Sequence, residues 1–404
     1  MTKVQSLYIH FPFCKSFCNY CDFYKIPLSF NHHRSIFSEF HQYLNNSFLK
    51  VMDSQALSAD FGGIEINNLQ TLYIGGGSPS LWGSSGAEFI KKFLTKNQIT
   101  FDKDYEFTLE VSPSINSNST LYGTLDGSLD GCLDCWRDVG VNRISVGIQT
   151  INSEVFSLLD RKHTIEDTFI LLDYLRNNNW NYSLDFMIGL PSYNNKDRDI
   201  VCELSTVNSY NPSHYSVYIF SPKDKEYPLH LREKIPDEDA VCEEYLMAAS
   251  YLKSEGFIHY EVSNFAKINK ESKHNQRYWK NNESYLALGP SSCGFLTDGR
   301  GTKGVRYSFA HDLLNINFDI DLLGKKELLL EKIYLSLRTN RGIDALAVMP
   351  IANKEEQINL EKNFELWKNN GLLESEFPQI KLSAKGFLLL DSIMDDLFKC
   401  LQSL

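Results

Sequence analysis

Six short β-rich runs, separated by stretches with helical spacing, constrain the fold of this chain more than any other feature. They lie at residues 6–11, 71–74, 106–111, 143–148, 183–188 and 214–220. Most are continuous apolar runs rather than alternations, as expected of parallel strands covered on both faces. Stretches 36–51, 87–94 and 164–176 carry apolar residues at helical spacing and suit the crossovers between such strands. Six units of this kind predict an α/β fold, a parallel sheet curled into a partial (β/α)6 barrel.

Chemistry in such sheets sits beyond the carboxyl ends of the strands. A cysteine-bearing loop follows the first run, and Gly75, Gly76, Gly77, Ser78 and Pro79 follow the second. Glu110 closes the third and Gln149 the fourth, Asp185 lies within the fifth, and Ser221 and Pro222 follow the sixth. Six strands thus deliver polar residues to one rim.

Cys14, Cys18 and Cys21 are spaced C-x3-C-x2-C. Four thiolates would close a tetrahedral zinc site or saturate an iron–sulfur cubane. Three leave one iron of a 4Fe–4S cluster without a protein ligand, and that corner can hold S-adenosylmethionine. Zinc lacks a fourth Cys or His at finger spacing. Three unrelated core thiols are the other alternative, since free Cys is a common core residue. A disulfide framework does not suit a long chain with nine cysteines and no apolar leader. The expected compartment is the cytoplasm, where thiols stay reduced.

The glycine triplet lets backbone approach a ligand closely, or serves a plain strand-ending turn. Glu110 and Asp185 can accept hydrogen bonds from ribose hydroxyls and oppose a sulfonium charge. Arg161 can pair with a free carboxylate, and the Gln149 amide can bridge cofactor groups. Each also has a structural reading as an ordinary polar residue.

The formal net charge of −11 argues against a nucleic-acid partner held through phosphates. No run is long and apolar enough for a membrane span. Residues 46–68 and 112–131 read as polar insertions. Beyond about residue 225 the strand–helix rhythm weakens. Apolar spacing predicts helices over 328–338 and 360–371, then a short strand and turn over 380–386 and an amphipathic stretch over 387–401. This tail suits a small winged-helix-like α+β domain, and its acidic setting favours packing or docking over nucleic-acid binding. Cys132 and Cys135 read as incidental helix thiols. Cys202, Cys242, Cys293 and Cys400 stand alone.

The runs at 8–23, 73–80, 140–149, 185–191 and 260–266 together resemble the radical S-adenosylmethionine proteins related to oxygen-independent coproporphyrinogen III oxidase. The resemblance covers nearly the whole chain. Within that group, the H-N-x-x-Y-W run from His274 to Trp279 and the Gly289-Pro290 pair resemble the haem-chaperone branch, HemW. The oxidase carries a further Cys two positions after the triad, where this chain has Phe23, and a longer segment before the cluster motif.

The resemblance implies a cluster on Cys14, Cys18 and Cys21. It implies S-adenosylmethionine contacts at Tyr8, Gly76, Gly77, Ser78, Glu110, Gln149, Arg161 and Asp185, with further cofactor contacts at Tyr20 and Ser221. His274 is a candidate axial haem ligand or a structural histidine. Implied domains are a core over 1–225, an extension over 226–325 and a small domain over 326–404. Implied partners are haem as cargo, haem-accepting proteins and a low-potential electron donor. The alternatives are a radical oxidoreductase that decarboxylates a porphyrinogen, and a non-catalytic relic of that fold. The chain departs from the family pattern at Ser78, where Thr is usual. It departs again at Cys293, within a run that usually includes a His, and in the segment after Ser221.

Overall fold

The structure is a computed structural model that describes residues 1–28, 33–113, 129–161, 163–192, 198–222, 228–280, 282–347 and 354–400. All six expected runs are strands of one sheet. They are β1 (Ser6–Phe11), β2 (Asn68–Gly76), β3 (Thr100–Val111), β4 (Arg143–Gln149), β5 (Asn181–Ile188) and β6 (His214–Ile219). Each pairs in parallel with its sequence neighbour, so spatial order follows chain order. Right-handed crossovers between sequential parallel neighbours carry the sheet round in one direction.

Three short strands complete the sheet: β7 (Ile258–Glu261), β8 (Asn264–Ala266) and β9 (Leu286–Leu288). β9 adds in parallel to β1, whereas β8 lies antiparallel to β6 and β7 antiparallel to β8. β7 and β9 are therefore the two edges among the described residues, and the barrel is open. At three or four residues each, these strands are too short to show a periodic signal.

The crossovers include α1 (His33–Met52), α2 (Gly83–Lys96), α3 (Leu129–Val139), α4 (Ile165–Asn177) and α5 (Ile200–Asn208). A capping box fixes where α4 starts: the Thr164 side chain accepts from the Asp167 amide while the Asp167 carboxylate accepts from the Thr164 amide. α6 (Glu238–Ser254) follows the sixth strand.

Two readings need correction. Residues 46–52 are not insertion but the last turns of α1, and Ile64–Glu65 pairs in parallel with Thr2–Lys3. The helical spacing over 36–51 already reached into that stretch, and the helix bears it out. β3 also starts earlier than expected, because its first half carries Asp102, Lys103 and Asp104 toward solvent and has no apolar run. The polar stretch expected over 112–131 lies mostly outside the described residues.

The sheet and its helices enclose one large core. An aromatic part of it anchors the cysteine loop. Phe11 and Phe13 flank Pro12 and pack edge-on with ring centroids 5.2 Å apart. Trp82 lies 5.1 Å from Phe11, and Phe40 lies 5.5 Å from Phe13. All four are buried. Aromatic pairs of this kind add stability beyond their buried area, about 0.5–1.5 kcal/mol each.

A second hydrophobic cluster forms near the C-terminus. It draws on α7 (Lys325–Leu337), α8 (Lys354–Asn369), α9 (Ala384–Leu388) and α10 (Leu390–Cys400), with Leu360, Phe364, Trp367 and Ile393 at its centre. Ile343–Asp344 and Gln379–Ile380 form an antiparallel pair beside it. Among the described residues no helix is long and apolar enough to cross a membrane.

Candidate functional site

The cysteine loop leaves and re-enters the body at one place. Phe13–Cys14 pairs in parallel with Ile26–Pro27, and the Leu28 amide donates to the Cys14 carbonyl at 2.9 Å. The end of β2 is laced onto the same segment. The Gly77 amide donates to the Phe11 carbonyl at 2.7 Å and the Ser78 amide to the Phe13 carbonyl at 2.9 Å. That approach requires glycine: a Cβ on Gly77 would sit 2.6 Å from the Phe13 carbonyl oxygen. Gly76 has φ +109°, and a Cβ there would meet the His10 ring at 2.5 Å. The triplet thus brings Ser78 Oγ to 3.9 Å from Cys14 Sγ.

A cavity of about 410 Å³ opens at this rim, within the range of small-molecule sites. Cys14, Cys18, Tyr20 and Cys21 line it from the loop, and Gly76, Gly77 and Ser78 from the end of β2. Glu110, Gln149, Arg161, Asp185 and Ser221 line the remainder. Two named residues lie elsewhere. Tyr8 faces a different cleft, and His274 lines neither.

Both residues are half-buried in the cavity wall, and desolvation of their carboxyls raises the pKa. The Glu110 carboxyl is pushed up to about 7 by burial, with Asp185 adding to the shift. Its oxygens accept from the Tyr73 hydroxyl at 2.9 Å and the Gly76 amide at 3.0 Å. Burial also raises Asp185, opposed by hydroxyls of Ser216 and Ser145 and by the Arg143 charge. The Ser145 hydroxyl donates to Asp185 at 2.9 Å. Arg161 spans the rim, donating to the Tyr20 hydroxyl at 2.7 Å and the Gly147 carbonyl at 2.8 Å.

Gln149 ends β4 at φ +66°, beside a register shift against β5. Among the described residues its Oε1 is buried with no hydrogen-bond partner. A buried amide oxygen left open is costly without a ligand to satisfy it.

The three thiols differ. Cys14 is buried and its thiol is pushed up to about 12, chiefly by burial. Cys18 and Cys21 are half-buried. Among the described residues no group of three or more His, Cys, Asp or Glu side chains closes on one metal-ion position. A cubane differs from a single ion because its iron corners spread the thiolates apart. An all-sulfur donor set suits iron–sulfur chemistry.

His274 makes the contacts of a structural histidine. It is buried in a one-turn helix, Lys273–Tyr278, whose first amides donate to the buried Glu106 carboxylate. Its Nδ1 is 2.9 Å from Thr71 Oγ1 and its Nε2 is 2.8 Å from the Tyr278 hydroxyl. Burial lowers its pKa to about 3, so the ring is neutral, and both nitrogens are engaged. No lone pair is left for iron in this arrangement.

Tyr73, Ser145, His163, Met187 and Tyr218 also line the cavity and were not anticipated. Strand alternation holds the missing signal for three of them. Tyr73 precedes Gly75 by two, Ser145 and Gly147 precede Gln149 by two-residue steps, and Met187 follows Asp185 by two.

The sequence profile of the Radical SAM superfamily matches residues 8–204. The protein named Heme chaperone HemW of Haemophilus influenzae is 30% identical over 72% of this chain and 70% of its own. Its namesake in Lactococcus lactis is 28% identical over 98% of this chain and 97% of its own. The chain belongs to the HemW family of radical S-adenosylmethionine proteins. Its fold also matches Escherichia coli coproporphyrinogen III oxidase (HemN), with a TM-score of 0.73 at 21% identity, covering 97% of this chain and 89% of that one. HemW-family membership and the open barrel therefore rest on independent likenesses, one of sequence and one of backbone.

Proposed function

We propose that this chain is a HemW-type haem chaperone. It holds a 4Fe–4S cluster on Cys14, Cys18 and Cys21, binds S-adenosylmethionine in the rim cavity, and delivers haem to acceptor haemoproteins. The observation that carries the reading is convergence. Three cysteines, two carboxyls, a guanidinium and an unsatisfied amide come from separate loops and strands, yet line one cavity.

When bound, a reduced cluster at the low end of the iron–sulfur range supplies one electron to a sulfonium ligand. The chain's own residues bind and orient. Glu110 and Asp185 offer acceptors to amino, hydroxyl or sulfonium groups. Arg161 keeps further N–H donors for a carboxylate beyond the two bonds it makes. Gln149 Oε1 accepts the donor it lacks. Ser78 sets its hydroxyl beside Cys14 Sγ, and the apolar Met187 limits water in the cavity.

The names of the curated relatives and the H-N-x-x-Y-W run support haem as cargo. The domain reading of a core over 1–225, an extension over 226–325 and a small domain over 326–404 is supported by the separate C-terminal hydrophobic cluster. The extension supplies β7, β8 and β9 to the main sheet, so it is read as an elaboration of the core. A cytoplasmic setting with a low-potential electron donor completes the proposal.

The test uses anaerobically reconstituted protein offered haemin and, separately, coproporphyrinogen. Haem retained and passed to an apo-haemoprotein, with no decarboxylation, supports the chaperone. Turnover of coproporphyrinogen supports the oxidase reading instead.

A further inference from the structure

Behind the cysteine loop lies a second cleft of about 670 Å³. Asp22, Phe23 and Lys25 line both this cleft and the rim cavity, so the loop is the wall between them. The walls of the second cleft are aromatic. Phe17, Phe23 and Tyr24 project from the loop, and Tyr278 and Tyr285 stand on the body. Phe17 is 45% exposed and Phe23 is 66% exposed. Large apolar rings left open beside a cleft mark a surface that a flat apolar ligand would cover.

Three imidazoles lie in or beside this cleft. His10 Nε2 donates to the Tyr24 carbonyl at 2.9 Å, which leaves Nδ1 to accept from the Tyr8 hydroxyl at 3.1 Å. His274 is buried, with both nitrogens engaged. His311 differs. It is exposed at the cleft, its ring lies 5.5 Å from that of Tyr24, and its Nε2 is 3.2 Å from Ser291 Oγ. Its Nδ1 has no hydrogen-bond partner among the described residues. A cation is also present: Lys25 lines the cleft with its Nζ 5.6 Å from the Phe17 ring centroid.

We propose that this second cleft seats the haem, with His311 as the iron ligand. The macrocycle lies against the aromatic walls, and Lys25 faces a propionate. The proposal rests on the haem-chaperone reading and deepens it by naming a site. It also gives the H-N-x-x-Y-W run a physical role. His274 is a positioning residue that holds the Tyr278 hydroxyl, and Tyr278 is the member of the run that lines the cleft. Haem so placed is separated from the rim cavity by the cysteine loop and the adjoining Tyr8 and Tyr73 rings.

The test is haemin titration of the full chain after anaerobic cluster reconstitution, followed by the Soret band. Loss of a partner that merely orients a metal ligand costs about 10–100-fold in affinity, so His311→Ala should weaken haemin by at least ten-fold and shift the band. Added imidazole should restore the band, and the iron–sulfur absorbance should stay unchanged. A His311→Ala protein with wild-type affinity and spectrum overturns the proposal. So does a wild-type spectrum in His311→Ala together with its loss in Cys293→Ala, which would place the ligand on the thiol in the same cleft. If the unmodified chain retains no haemin, this site and the chaperone reading fail together. Retention that is indifferent to His311 removes the ligand and leaves the chaperone standing.

Discussion

The two clefts share a wall but are built by opposite means. The rim cavity takes its residues from strand ends in chain order, each delivered by one β-unit. The second cleft is assembled from Tyr8 and His10 of β1, the cysteine loop, the one-turn helix at 273–278, and the segments around Ser291 and His311. Strand ends impose positions through a repeated backbone ladder, whereas loops meet only because the sheet edge brings β9 beside β1. Ligand groups in the first are therefore held in place by the sheet, and the second presents exposed rings that await a partner.

The largest effect expected is on the partition. Cys18→Ala should abolish the iron–sulfur absorbance after reconstitution, with haemin binding retained. Iron analysis and a Soret titration on one sample check this, and loss of both signals would show that the clefts are not separable.

Gly76→Ala strikes the lacing of the rim. Its φ of +109° and the His10 ring in the way make alanine strained, at about 1–3 kcal/mol or more. Urea denaturation should show that loss, and an unchanged midpoint would contradict the close approach described.

Glu110 makes the rim pH-sensitive. Its folded pKa of about 7 lies above its ordinary value of about 4.5, so the folded state holds the proton more tightly between those limits. The stability from protonated Glu110 is full below the ordinary value and is lost as pH rises toward about 7. Glu110→Gln should flatten that slope in melts of the ligand-free protein. Binding of a cationic sulfonium ligand favours the carboxylate, so it should strengthen as pH rises through about 7, and the variant should lose that trend. A parallel pH profile for the two proteins would exclude this role.

His274→Ala should have the smallest effect on ligands. It leaves Thr71 Oγ1 and the Tyr278 hydroxyl without their partner, worth about 1–3 kcal/mol of stability. Differential melting should register the loss while the haem Soret band keeps its position. A shifted band with unchanged melting would return His274 to the ligand role.

Legibility followed the same division. The six central strands showed in sequence because continuous apolar runs persist wherever both faces of a strand are covered. Glu110, Gln149 and Ser78 were legible as candidates because each ends or follows such a run, and Asp185 because it is a carboxylate inside one. Tyr73, Ser145 and Met187 were missed although alternation marks them, because none carries a charge that attracts notice. β7, β8 and β9 were missed because three or four residues hold no period. The insertion read over 46–68 failed at its start, where the helical spacing over 36–51 was the better guide.

The amino-acid order by itself determined the parallel units, the cysteine trio and the family, since these depend on local spacing and on residues adjacent in the chain. Only the tertiary structure decided that Tyr8 faces a different cleft and that His274 is sealed among Thr71, Tyr278 and Glu106. It alone left His311 open beside the cysteine loop. Accessibility and hydrogen-bond saturation belong to the packed molecule, because they are set by neighbours hundreds of residues away along the chain, as the Thr71–His274 contact shows.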